Sequence, residues 1–331
     1  MPFYGTDTDM AICYQNSYGT IADIANSAQV LPVVSQNISS KRPHIIQENM
    51  RGIYEEGESY QGLHEVSGEV EMEAHPISIG YLFGAFFGSA SVTTSDAIYT
   101  HAWTPLTAAF DGSGGSSFKR PVTFAMNGSY PGTQVNFLNL VANTLEIGVS
   151  NGELLKVKAG FIGGRDDDGS GGYSISYPAG SERFTWDVAS IEIIGSSAID
   201  YCKELTITME DPVEPKYYLD GGIWPGKNIL SGMRKVSFSA TFHYENNSLY
   251  NYFWDKDTNS IDITLEDKST EIQSGYYNKL NIQLDRLRFE TAEANRSGPG
   301  ETLLTINGNA QYDSSISQLC SVTLTNTKSV Y

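Results

Sequence analysis

"VSGEVEMEAHPISIGYLFGAFFG", residues 66–88, changes period in its middle. Up to Glu73 it alternates, with Val66, Val70 and Met72 on one side of an extended chain and Ser67, Glu69, Glu71 and Glu73 on the other. After Pro76 the apolar residues Ile79, Leu82, Phe83, Phe86 and Phe87 recur at helical spacing. The stretch predicts a half-buried strand that runs into a short amphipathic helix.

It has an echo. "VSFSATFHYENNSLYNYFW", residues 236–254, again alternates and then turns aromatic at helical spacing, at a gapless shift of 236 − 66 = 170. Ser67, Glu69, Glu71 and Glu73 fall on Ser237, Ser239, Thr241 and His243, while Leu82 and Phe83 fall on Tyr252 and Phe253. The helices carrying these last four residues are expected to cover a core. Further along, "NLVANTLEI" from Asn139 matches "NIQLDRLRF" from Asn281, and "GELLKVKAG" from Gly152 matches "GETLLTING" from Gly300. Each half also places a long polar stretch before its alternating strand, at 39–62 and 210–227, where long loops are expected to do work. The pattern predicts a mainly β chain built as a tandem repeat: a first domain over 1–165, a Gly/Ser/Asp-rich linker over 166–185 and a second domain over 186–331.

The totals agree with strands. Tyr (20) and Gly (32) are plentiful, which favours strands joined by turns over helices. Acidic residues outnumber basic ones, 39 against 21, for a net charge of -18, a balance that repels nucleic acid because phosphate binding needs Lys and Arg. Three widely spaced cysteines, Cys13, Cys202 and Cys320, form no disulfide framework or zinc motif. The opening residues lack a basic and apolar leader pattern, and no apolar run is long enough to cross a bilayer, so a soluble protein with no membrane partner is expected.

Chemical motifs are weak. "GVSNG", residues 148–152, fits the nucleophile elbow around Ser150, but "ELLKVKAGF" after it alternates as a strand where the elbow needs a helix. Asn-Gly as a hairpin turn explains it better. "DDDGSGG" from Asp166 lacks the distal Glu of a calcium loop, and a solvated linker is expected there. The five histidines show no ligand spacing. Glu69, Glu71 and Glu73 stand about 7 Å apart on a strand face, within reach of a glycosidase pair. Their counterparts, however, are Ser, Thr and His, so polarity repeats while ionisable chemistry does not. No catalytic residue, cofactor or metal is expected.

With its tandem β-sandwich pattern, flanking helices, long inter-strand loops and acidic balance, the chain resembles the tail tube proteins of long-tailed bacteriophages. "GEVEMEAHPISIGYLFGAFFG", "HAWTP" at 101–105 and "LLTINGNAQYD" from Leu303 carry the likeness over nearly the whole length. The resemblance implies a non-enzymatic virion protein, assembled in the host cytoplasm, whose copies close into rings stacked around a lumen. Since such rings usually hold six domains, a doubled chain implies rings of three chains, with six chains as the fallback. It further implies a lumen lined by Ser67, Glu69, Glu71, Glu73, Ser237, Ser239, Thr241 and His243, passing phage DNA and a tape-measure protein without tight binding. Lys41, Arg42, Arg51, Glu55, Glu56, Glu58, Tyr217, Tyr218 and Trp224, in the long loops, are expected at contacts within and between rings. Lys41, Arg42 and Arg51 would there face Glu55, Glu56 and Glu58 of a neighbour. A secreted carbohydrate-binding β protein, suggested by Trp103, Trp186, Trp224 and Trp254, is the main alternative from another class. A baseplate, neck or terminator component is the nearer one.

Overall fold

Alternating apolar positions become strands along most of the chain, because one face of each can be buried while the other stays wet. The computed structural model describes residues 8–331 except 16–17, 20–22, 48–54, 56, 106–118, 129–133, 170–171, 179, 181, 194–200, 220–221, 246, 255–258 and 297–299. In chain order the elements are β1 (Thr8–Tyr14), α1 (Ile24–Ser27), β2 (Gln29–Leu31), β3 (Val33–Gln36), β4 (Ser39–Lys41), β5 (His44–Ile46), β6 (Ser59–Gln61), β7 (Glu65–Glu73), α2 (Ile79–Phe87), β8 (Ser91–Ser95), β9 (Ile98–Trp103), β10 (Val122–Gly128), β11 (Val135–Ser150), β12 (Lys156–Ile162) and β13 (Arg165–Asp167). There follow β14 (Ala189–Ile193), β15 (Cys202–Glu210), β16 (Val213–Lys216), β17 (Lys227–Leu230), β18 (Lys235–His243), α3 (Ser248–Trp254), β19 (Asn259–Gln273), β20 (Tyr276–Asn295), β21 (Leu303–Ala310) and β22 (Ser321–Asn326). The protein is mainly β.

One antiparallel surface crosses the molecule. β3 and β4 share an edge of β7, and beyond β7 come β12, the end of β11, β15, β18, β21 and the end of β20. The long strands β11 and β20 leave this surface at their N-terminal ends. There β11 pairs with β10 and β13, and β10 with β1, while β20 pairs with β19 and β22, and β19 with β14. Apolar side chains from both sets, such as Val70, Met72, Phe124, Leu140, Ile207, Phe238, Ile263 and Leu284, share one continuous core.

The strand pairings repeat in register. Val122 faces Leu140 and, past a bulge, Phe124 faces Phe137; in the same way Asn259 faces Leu287 and, past a bulge, Ile261 faces Leu284. A second bulge separates the pair Ala142 and Phe161 from Thr144 and Gly160, and its match separates Phe289 and Gly308 from Thr291 and Asn307. Ser39 opposite Ser67 corresponds to Thr208 opposite Ser237. The expected pairings "NLVANTLEI" with "NIQLDRLRF" and "GELLKVKAG" with "GETLLTING" find the right strands in the wrong register. The pairings carry β11 onto β20 and β12 onto β21 with one shift, 289 − 142 = 308 − 161 = 147, instead of shifts of 142 and 148. The bulges fall at matching places in both halves and leave that shift unchanged; a short alternating stretch matched by letters does not fix its own register, which the strand pairing sets.

Other expectations change in the folded chain. The long loops are not structureless: β5 pairs with β6 and β16 with β17, as hairpins of matching register. The Asp-rich run expected as a solvated linker opens as β13 on β11, and Tyr173 and Phe184 beyond it are buried. Helix α2 has no wet face, since every residue from Ile79 to Phe87 is buried. Gly80 and Gly84 leave room for the Tyr331 ring and the Tyr14 hydroxyl, which lie where a Cβ would be. The helix stops at Gly88, where φ is 90°. By contrast α3 is half-covered; Tyr252 and Phe253 pack on the core from one side and Trp254 is exposed. The first half also holds an extra hairpin, β8 and β9, whose second strand pairs with β22 of the second half.

Candidate functional site

One side of the antiparallel surface is polar and partly open to water. On β7 and β18 buried residues alternate with Ser67, Glu69, Glu71, Glu73, Ser237, Ser239, Thr241 and His243, all partly exposed. Gly68 interrupts the alternation because the chain crosses it closely; a Cβ there would lie 2.4 Å from Ile38 Cα.

The glutamate row is partly neutralised. β12 runs beside β7 with Lys158 opposite Glu71 and Lys156 opposite Glu73. Lys158 Nζ lies 2.8 Å from Glu69, and that hydrogen bond is the main reason its ammonium is held above the ordinary lysine range. Arg183 reaches Glu73 at 3.5 Å, and Ser35 Oγ donates to Glu71 at 3.4 Å. In the second half charge is lost from both partners together: Thr305 stands opposite Thr241, their hydroxyls 3.3 Å apart. His243 pairs with Glu301, which also takes Lys203 at 2.9 Å. Along the strands of this surface the carboxylates Glu65, Glu69, Glu71, Glu73, Glu146, Glu204, Glu210 and Glu293 still outnumber Lys41, Lys156, Lys158, Lys203 and Lys235.

The halves meet along β11 and β15, and Arg42, Tyr217 and Trp224 make contacts inside the chain near this seam. Arg42 Nη2 binds Asp166 at 3.1 Å and its guanidinium lies 5.8 Å from the Trp224 ring centroid. The Trp224 and His64 rings lie 3.7 Å apart, tilted by 33°, and the Tyr217 hydroxyl donates to the His64 carbonyl at 3.0 Å. Burial holds the His64 imidazole below its usual range, and it accepts from Arg42 Nε at 3.4 Å. Lys41, Glu55, Glu58 and Tyr218 are exposed, while Arg51 and Glu56 lie outside the described residues.

Sequence reasoning missed the other anchor of the seam. Lys119 of the first half and Asp211 of the second form a buried ion pair at 2.7 Å, with Arg234 on the second carboxylate oxygen at 3.0 Å. Lys119 also donates to the Ala142 carbonyl at 2.7 Å and lies 3.9 Å from the Phe86 ring centroid. Burial lowers its pKa to about 8. The only sequence signal is the repeat itself, which puts Asp211 where the first half has Arg42 (211 − 169 = 42, the shift that also carries Gln61 onto Leu230).

The remaining candidates find structural places. Ser150 ends β11, and Asn151-Gly152 makes the turn. Among the described residues no group of three or more His, Cys, Asp or Glu is placed to hold a metal ion, and no helix is long and apolar enough to cross a membrane. Leu82 and Phe83 are fully buried under the first half.

A β-rich body with one broad polar face, its helices turned to the core, has the build of a structural protein. A family model described as phage tail tube protein matches residues 5–310, and the chain belongs to that family. It is thus a tail tube protein, a virion component that assembles with its own copies into a tube. No curated protein matches the chain.

Proposed function

We propose that the chain is the major subunit of a phage tail tube, with three chains forming each ring and the rings stacked around a lumen through which DNA passes during ejection. The observation that carries this reading is the repeated register, bulges included, which supports two tube-like units, 1–165 and 186–331, joined through 166–185. A heterologous contact closes only at the right rotation; three doubled chains supply the six units of a pseudo-sixfold ring. The polar face of β7 and β18 is the lumen wall in this reading. Hydroxyls and an excess of carboxylates keep the DNA backbone from adhering, over a screening length of about 8 Å at physiological salt. The tape-measure protein occupies the same channel before DNA does. Exposed Lys41, Glu55, Glu58 and Tyr218, near the two hairpins, are assigned to contacts within and between rings.

Electron microscopy of purified protein tests this. Annular particles or tubes with an open channel, averaging to threefold symmetry with six similar lobes, are expected. Rings of six chains would overturn the stoichiometry, and particles without a channel would overturn the reading.

A further inference from the structure

Arg42 and His64 stand at the two feet of the β5–β6 hairpin, and one carboxylate joins them. Asp166 Oδ1 takes Arg42 Nη2 at 3.1 Å and lies 3.3 Å from His64 Nε2, while Ser40 Oγ donates to Asp166 Oδ2 at 2.9 Å. The second half closes over this group. The His64 N–H donates to the Ile223 carbonyl at 2.8 Å, its own carbonyl accepts from Tyr217, and the Trp224 ring covers the imidazole, whose side chain is 0% exposed.

These partners fix the protonation state of the ring. Arg42 Nε–H donates to His64 Nε2 at 3.4 Å, so Nε2 carries the lone pair and the ring proton sits on Nδ1. There it meets no hydrogen-bond partner among the described residues. His64 is thus a neutral imidazole wedged between a guanidinium, a carboxylate and an indole. A second proton has to enter at Nε2, where the Arg42 Nε–H already points. The charged ring can then satisfy Nε2–H on Asp166 Oδ1, the oxygen that Arg42 Nη2 holds, and Arg42, whose side chain is half exposed, is the group free to leave. The charges acting on the ring are those of Asp166 and Arg42; further out, Glu65 acts on Tyr217, and Arg165 acts on Tyr18, which donates to the Pro225 carbonyl at 2.9 Å.

We propose that His64 is a proton-operated latch on the β5–β6 hairpin. Neutral, it lets Arg42 and Asp166 pin one foot of the hairpin while its own backbone pins the other to the second half; protonated, it takes Asp166 Oδ1 and releases Arg42. Every contact of the latch lies within one chain, so it does not depend on how copies assemble. Burial, with Arg42 adding to it and Asp166 opposing, keeps the imidazole below the ordinary 6.5 of histidine. As pH falls below 6.5 the unfolded chain therefore takes up a proton that the folded one resists. The hold is complete above that pH and is lost as pH falls through the lower folded value.

Hydrogen exchange on the unassembled full chain tests this, read as protection factors so that the intrinsic effect of pH on exchange drops out. Between about pH 7.5 and about pH 5, protection over 43–47 and 59–64 is expected to fall roughly tenfold or more, while protection over 66–72 in β7 holds. His64→Gln, which has no titrating ring, should abolish the difference. Arg42→Gln should raise the His64 titration midpoint, read from the ring Cε1–H signal by NMR, because it removes the neighbouring cation; Asp166→Asn should lower it. Equal protection at both pH values, a pH response that survives in His64→Gln, or an Arg42→Gln midpoint that stays in place or falls would each overturn the latch. Should His64→Gln fail to fold, the two midpoint shifts, measured with His64 in place, decide the matter.

Discussion

Replacing Asp211 by Asn is the sharpest probe of how the two halves hold together. Asp211 is 4% exposed, and it is shared by Lys119 at 2.7 Å and Arg234 at 3.0 Å. The substitution keeps the shape and leaves two cations facing an amide, with Lys119 3% exposed in its side chain and unable to reach water. Removing one partner of a buried pair costs about 3–5 kcal/mol, mostly the uncompensated charge left behind. Lys119→Met is milder: Asp211 keeps Arg234, and the main loss is the donor to the Ala142 carbonyl, about 1–3 kcal/mol. The double variant K119M/D211N removes the stranded ammonium, so its cost should fall well below the sum of the two single ones. Urea unfolding followed by circular dichroism, on dilute protein shown by light scattering to be unassembled, measures all three midpoints. A D211N loss under about 1 kcal/mol, or a double variant whose loss is additive, would refute the claim that this carboxylate is a desolvated anchor.

Two further outcomes are expected. Exchanging Glu69, Glu71 and Glu73 for Lys should leave annular particles intact, since exposed pairs such as Lys158 with Glu69 are worth roughly 1 kcal/mol or less. Genome ejection should be impaired, because each exchange turns a repelling group into one that holds phosphate; unchanged infectivity in complemented phage would remove these residues from the lumen. Stability should also decline as pH rises above 9. Burial raises Cys13 to about 11, and Cys202 and Cys320 to about 12, so the folded protein keeps thiol protons that the unfolded chain releases near 9. Their contribution is complete below pH 9 and is lost as pH climbs toward those raised values. For fully buried Cys320 the slope is at most about 1.4 kcal/mol per pH unit. Lys119, lowered to about 8, opposes this between pH 8 and its ordinary 10.5. Cys320→Ala should lower stability at pH 7 yet flatten the decline seen in urea midpoints between pH 8.5 and 10.5; an unaltered slope would show that the thiol is not the source.

Local patterns were legible in the sequence wherever one strand or helix explains itself. β7 and β18 appear in the gapless shift of 170, because the alternation that buries one face of a strand needs no knowledge of its neighbours. The same holds for the Asn-Gly turn after Ser150 and for the helix start after Pro76. The polar character of the Glu69 row was equally readable. What neutralises it was not, since Lys158 lies far along the chain and reaches Glu69 only through the pairing of β12 with β7.

The sequence by itself determined a mainly β chain, two similar strand-and-helix patterns, an acidic balance and the side of β7 that stays wet. Tertiary structure alone decided the register beyond the bulges, the hairpins inside the long loops, the burial of α2 on both sides and the seam held by Lys119, Asp211 and Arg234. The division has a physical cause. Periodicity is a property of neighbours along the chain, whereas a bulge, a buried ion pair or a helix covered by Tyr14 and Tyr331 depends on residues that only the folded backbone brings together.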